Sequence, residues 1–181
     1  LGMGLIINGE LYYGKSGFSG EFGHYPAFDN EVLCHCGKKG CLETQASGSY
    51  VYRVFMEKMK NGDSSRLRTK FEAGDEISLS DIITSALQDD ITAIEPIEEV
   101  GSTLGRSVAG LINIFNPELV VIGGTLAQAG DFLLLPLRSA IKKYSLNLVN
   151  SDTTLKVSKL GEKSGILGAC LLARSKTIGL I

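Results

Sequence analysis

No block of lysine and arginine occurs in this 181-residue sequence, whose 18 basic and 20 acidic side chains leave a formal net charge of −2. Nucleic-acid binding needs a clustered positive patch to gather phosphates, so these residues carry no electrostatic footprint for it. Long apolar runs are lacking too: a membrane-crossing helix needs about 20 consecutive apolar residues, and the longest stretches here are far shorter. Nothing at the start reads as a secretory signal, so no membrane attachment is expected and a reducing cytoplasm is the simplest setting. The sequence opens on Leu1, inside a run (Leu1-Gly-Met-Gly-Leu-Ile-Ile7) that reads as a β-strand. The expectation is therefore a carboxy-terminal part of a longer protein. At 44% hydrophobic, residues 1–181 suffice for one core and one domain.

Cysteine is scarce but concentrated. Three of the four cysteines fall within eight residues, and with one of the two histidines they form His24-x9-Cys34-x-Cys36-x4-Cys41. Disulfides and unrelated reduced thiols are the alternative readings, but three crowded cysteines and a distant fourth make a poor disulfide framework for a protein this large. Cys170, in an apolar helical run, reads as buried packing. Three thiolates and one imidazole fill a tetrahedral zinc shell and leave no position for a reactive water, which points to a structural ion. Gly37 and Gly40 supply the backbone freedom that brings Cys41 round. His35, wedged between two cysteines, reads as an exposed neighbour, and Glu21 and Glu43 sit just outside the cluster.

Asn8-Gly9 between Leu5-Ile7 and Glu10-Tyr13 predicts a two-residue β-hairpin. Residues 14–40 are glycine-rich without apolar periodicity and predict a long ordered loop that draws its rigidity from the metal. Helical spacing resumes over 42–60, and 62–76 reads as a mobile polar excursion. Ser78-x-x-Asp81 predicts a capping box opening a helix with Ile82, Ile83, Ala86 and Leu87. A longer helix carries Ile97, Val100, Leu104, Val108, Leu111, Ile112 and Phe115, with Gly101, Gly105 and Gly110 interleaved for close approach, and Asn116-Pro117 stops it. Leu119–Ile122 predicts a strand buried on both faces, Gly123-Gly124 closes it, and a helix over about 131–143 follows. Leu155, Val157 and Leu160 suggest another strand, and 165–174 a last apolar helix. The expected class is α/β, a mixed sheet flanked by helices on both faces.

Several separated segments together resemble the ROK family of bacterial sugar kinases and sugar-responsive repressors. They are the glycine-rich opening hairpin, Gly20-Glu-Phe-Gly-His24, the cysteine cluster ending in Cys41-Leu-Glu43, and Asn113-Ile-Phe-Asn-Pro-Glu-Leu-Val-Val-Ile-Gly-Gly124. The resemblance implies the carboxy-terminal lobe of an actin-like, ribonuclease-H-type fold, with the zinc loop at 20–43 and the amino-terminal lobe and any helix-turn-helix outside the chain. It also implies that Glu21, His24 and Glu43 contact sugar hydroxyls. On the residues alone, Glu21 and Glu43 read as ordinary solvated carboxylates, and Gly123-Gly124 as a strand-ending turn.

Two outputs fit the resemblance. The leading one is the effector-binding and dimerisation portion of a transcriptional regulator of the N-acetylglucosamine- or xylose-repressor type. It would take a sugar or sugar phosphate, work as a homodimer or dimer of dimers, and reach DNA through the absent region. The rival is an ATP-dependent sugar kinase for glucose or an N-acetylhexosamine, in which Gly2, Gly4, Gly123 and Gly124 would face ATP and its Mg2+. No catalytic residue is expected within this chain, because the family's catalytic Asp belongs to the absent lobe. A zinc-stabilised sugar-binding module with neither output is a third reading.

Overall fold

The computed structural model describes residues 1–161 and 163–178. Strands β1 (Ile6–Ile7) and β2 (Glu10–Leu11) form the expected hairpin. Asn8 and Gly9 both take positive φ, 54° and 81°, as the tight turn requires. Among the described residues seven α-helices follow, α1 (Gly48–Lys60), α2 (Arg68–Glu72), α3 (Leu79–Ala86), α4 (Ile91–Phe115), α5 (Asp131–Tyr144), α6 (Asn147–Asp152) and α7 (Lys163–Ile178). Strands β3 (Leu119–Ile122) and β4 (Thr154–Val157) pair in parallel, register Leu119 with Thr154, across the α5–α6 crossover. Among the described residues no helix is long and apolar enough to cross a membrane.

The core lies where α1, α3, α4 and α5 meet. Val51, Phe55 and Met59 form one stripe of α1, and Ile97, Val100, Leu104, Val108 and Ile112 one stripe of α4, all buried. Ser47 caps α1, its hydroxyl accepting from the Tyr50 amide. That cap places the helix start six residues later than the apolar pattern suggests, and Leu42–Thr44 is instead a 3₁₀ turn. Asn116, left-handed at φ 42°, ends α4.

Gly101 and Gly105 set the α4–α5 distance. A Cβ on Gly105 would lie 2.8 Å from the Ala140 Cβ and press on the Leu137 carbonyl, whereas one on Gly110 meets nothing within 4 Å. The same substitution at the two sites should therefore differ in sign. Gly110→Ala gains helix propensity and is expected to stabilise by up to about 1 kcal/mol. At Gly105 the same gain is offset by overpacking of about 1–3 kcal/mol, so Gly105→Ala is expected to destabilise, with denaturant midpoints as the readout.

The segment expected to be mobile is ordered. It contains α2 and is tied down by Asp90, a buried carboxylate that accepts from the Ser65 hydroxyl (2.5 Å), the Arg66 amide (2.9 Å) and the Ser85 hydroxyl (2.5 Å) while capping α4 through the Thr92 amide (3.1 Å). Burial works against the charge on Asp90, but these hydrogen bonds outweigh it and hold its pKa below the usual carboxylate value. One carboxylate thus fastens a polar excursion that has no apolar pattern to reveal it.

The capping box is present, with the Ser78 and Asp81 side chains each bonded to the other's backbone amide and Lys70 Nζ 3.0 Å from Asp81. Hydrogen bonds from the Ser78 hydroxyl and amide, then from Lys70, lower Asp81 from 3.8 to about 2. A depressed folded-state pKa contributes stability above the unfolded value and loses it as pH falls through the folded one. Asp81→Asn is therefore expected to cost about 1 kcal/mol at neutral pH. The gap should close between roughly pH 4 and pH 2 in urea titrations of the two proteins.

Four expectations are corrected. The strands form two separate two-stranded sheets among the described residues rather than one mixed sheet. A groove of about 290 Å³ lies between residues 1–6 and β3. Helices cover β3 on one side only, so Ile122 is buried while Leu119 and Val121 stand 46% and 54% exposed. The last strand closes at Val157, leaving Leu160 outside it and exposed. Cys170 is exposed rather than packed, because α7 stands clear of the core with Ile166, Leu167 and Leu171 also exposed.

Candidate functional site

Two short segments build the site. Phe22–His24 is a 3₁₀ turn that follows Gly20 and Glu21, with Gly20 at φ 93°. The Met3 amide donates to the Gly20 carbonyl at 2.9 Å, and Cβ atoms on Gly20 and Gly23 would collide with the carbonyls of Met3 and Leu1. Only glycine at both positions lets residues 1–3 lie flat across the turn that carries Glu21 and His24.

The second segment is the cysteine loop. The Gly37 amide donates to the Cys34 carbonyl at 2.9 Å, closing a tight turn with Gly37 at φ 84°, and the Cys34 amide donates to the Lys38 carbonyl at 2.8 Å. The Ala27 amide donates to Gly40 at 2.9 Å and the Leu42 amide to Tyr25 at 2.9 Å, so the two segments are already stitched by backbone bonds. The loop is stiffer than its composition implied, since such bonds leave no side-chain signature.

His24, Cys34, Cys36 and Cys41 offer one donor atom each, all within 4.8 Å of one another. His24 Nδ1 lies 3.6 Å from the Cys34 sulfur, and the Cys36 and Cys41 sulfurs are 3.6 Å apart. A tetrahedron with metal–sulfur bonds of about 2.3 Å and metal–nitrogen bonds of about 2.0–2.1 Å has edges of about 3.6–3.8 Å, so the donors fit an ion of that size. The electrostatics agree. Burial, then the neighbouring thiols, push the Cys41 thiol up to about 11, while the Lys38 amide chiefly holds Cys36 below its usual value. Three crowded sulfurs resist full ionisation unless a cation balances them. His35 is exposed and outside the cluster.

The other imidazole nitrogen points the opposite way: His24 Nε2 is 3.7 Å from the Glu21 carboxylate, which is exposed. Glu43, in the 3₁₀ turn after Cys41, is half-buried, with its carboxylate 3.0 Å from the Leu1 nitrogen and close to Gly23. Gly2, Gly4 and Gly123 line the same 290 Å³ groove, whereas Gly124, at φ 87°, lies outside its lining. The backbone of Leu1–Met3 is the part of the site that side-chain reasoning missed; the paired glycines of the 20–24 run are its only trace in the sequence.

The α/β chain thus carries a Cys3His cluster beside one exposed carboxylate, Glu21, and one half-buried carboxylate, Glu43. The ROK family model matches residues 1–176, and the chain belongs to the ROK family. It is 36% identical to the xylose repressor of Caldicellulosiruptor bescii over 97% of this chain and 44% of that protein. It is 34% identical to the glucokinase of Thermotoga maritima over 99% of this chain and 56% of that protein. Two solved structures share the fold: a ROK family transcriptional regulator described as a homologue of the E. coli MLC protein, and a ROK family glucokinase from Streptomyces griseus in complex with glucose and AMPPNP. The regulator superposes with TM-score 0.84 at 33% identity, over 96% of this chain and 43% of that one. The glucokinase superposes with TM-score 0.85 at 29% identity, over 96% of this chain and 57% of that one. The chain spans about half the length of the curated relatives it matches.

Proposed function

We propose that this chain is the sugar-recognition lobe of a ROK transcriptional regulator, in which a structural zinc ion on His24, Cys34, Cys36 and Cys41 aims Glu21, His24 and Glu43 at the hydroxyls of a sugar or sugar phosphate. The observation that carries the reading is the two-sided position of His24, whose Nδ1 faces the thiols and whose Nε2 faces Glu21. Zinc supplies charge neutralisation and a fixed loop when bound. With Nδ1 committed to the ion, Nε2 must carry the hydrogen, so His24 presents a donor beside the Glu21 acceptor. A sugar hydroxyl both donates and accepts, and a donor next to a carboxylate suits it, the carboxylate bond being of the stronger charge-assisted kind.

For the output, likeness to the xylose repressor and to the solved regulator supports a protein that couples sugar occupancy to DNA affinity. DNA contact would come from outside residues 1–181, and a two-fold dimer would match paired half-sites. The sugar would act by binding the two lobe arrangements with different affinities. The matched fold supports an actin-like, ribonuclease-H-type lobe whose partner lobe forms the other wall of the cleft.

A second reading, an ATP-dependent sugar kinase, is favoured by one observation: Gly2, Gly4 and Gly123 converge on one groove, and the superposed glucokinase was solved with glucose and AMPPNP. In that case the groove's glycine backbone would face ATP and Mg2+, and the catalytic base would lie outside this chain. Assaying the full-length protein for hexose-dependent ATP consumption separates the two. The regulator reading expects sugar binding without turnover, and robust turnover overturns it.

A further inference from the structure

We propose that Cys36 and Cys41 form a peroxide-responsive thiol switch that opens the metal centre. The inference rests on the metal reading above and adds regulation to the same four side chains.

The four ligands are unequal. Cys34 and Cys41 are buried, whereas Cys36 is exposed to solvent. Oxidant susceptibility follows thiolate character and access, so Cys36 is the sulfur that meets a peroxide first. The Cys41 sulfur stands 3.6 Å from it in hydrogen-bond geometry, while the Cys34 sulfur stands 3.6 Å from His24 Nδ1. A disulfide needs an S–S distance of about 2.05 Å, so the two sulfurs must close by about 1.6 Å. The four residues between them begin and end with Gly37 and Gly40, both at positive φ, where the backbone can re-form the turn.

The chemistry balances with hydrogen peroxide as the oxidant. The Cys36 thiolate attacks one peroxide oxygen, the O–O bond breaks, and the departing hydroxide takes a proton to leave as water, giving the sulfenic acid. The Cys41 thiolate then attacks the Cys36 sulfur and expels the second hydroxide, which also leaves as water after taking a proton. Two thiolates lose two electrons, and one peroxide becomes two waters. His24 and Cys34 remain as two donors, too few for a tetrahedral site, so the ion is released. His24 Nδ1 is then free, and the fixed tautomer beside Glu21 is lost with it. A thiol reductant with added zinc reverses the sequence.

The test uses the full-length protein with its zinc content measured first. Hydrogen peroxide is added, and zinc release is followed with a metallochromic dye while unreduced peptide maps identify the disulfide. Zinc release and the Cys36–Cys41 disulfide are expected to rise together, one ion per bond, and to reverse with a thiol reductant and zinc. Cys36→His keeps four ligands but removes the exposed sulfur, and is expected to slow release by at least roughly tenfold. Cys170→Ser, removing an exposed cysteine outside the cluster, should release zinc at the wild-type rate. Zinc retained under peroxide with thiols intact, a disulfide through Cys34, or a Cys36→His protein that releases zinc as fast as the parent overturns the switch alone. Protein that neither carries nor binds zinc sinks the underlying metal reading as well.

Discussion

Replacing Cys41 by serine is expected to abolish zinc binding and to lower the melting temperature by roughly 10 °C or more, since losing a closed metal site costs several kcal/mol and each kcal/mol moves a protein of this size by about 2–4 °C. Cys41 is the informative ligand because it is buried and lies in the strand-like bridge to Pro26, at the seam between the two loop segments. The bonds linking Ala27, Phe28 and Leu42 to the facing segment run between backbone atoms and use no cysteine side chain, so the loop should loosen rather than vanish. Chelator-treated wild type separates the metal from the lost sulfur, and Cys170→Ser serves as a control with unchanged melting. Sugar affinity, measured by calorimetry on full-length protein, should fall with the zinc content. A Cys41→Ser protein that melts and binds sugar like the parent would remove the physical basis of the proposed function.

Glu21→Gln and Glu43→Gln are expected to weaken sugar binding by about 10–150-fold each, the equivalent of about 1.5–3 kcal/mol for a hydrogen bond to a charged group. Glutamine preserves shape while removing charge, so zinc content and melting temperature should hold. Glu21 is the cleaner test. It is exposed and contacts His24 Nε2, whereas Glu43 also lies against the Leu1 nitrogen and Gly23. A calorimetric panel of glucose, xylose, N-acetylglucosamine and N-acetylmannosamine reads both affinity and preference. Loss of affinity together with loss of zinc would assign these carboxylates to loop architecture instead of recognition.

The parts of the fold legible in the sequence are those where chemistry is local. Asn8-Gly9 dictates its own turn, Ser78 and Asp81 their own cap, and the clustering of His24, Cys34, Cys36 and Cys41 is announced by residue type and spacing. Gly101 and Gly105 announced a close approach and the structure supplies it, while Gly110 in the same helix meets no neighbour, and nothing local distinguishes the three. What stayed hidden depends on long-range contacts. Asp90 reaches back to Ser65 and Arg66, and the main chain of Leu1–Met3 folds over Gly20 and Gly23, through atoms that every residue shares. The apolar run at 119–122 predicts a doubly buried strand, yet burial depends on what lies on the other side, and one side is open.

That open side governs how the isolated polypeptide behaves at the bench. Apolar Leu119 and Val121, the solvent-facing Ile6 and Ile7, and the bare flank of α7 together give this lobe a sticky exterior. An unpaired strand edge is a template for intermolecular pairing, so concentrated preparations of residues 1–181 alone favour self-association and precipitation. Added charge at Val121 is the route to material that stays dispersed.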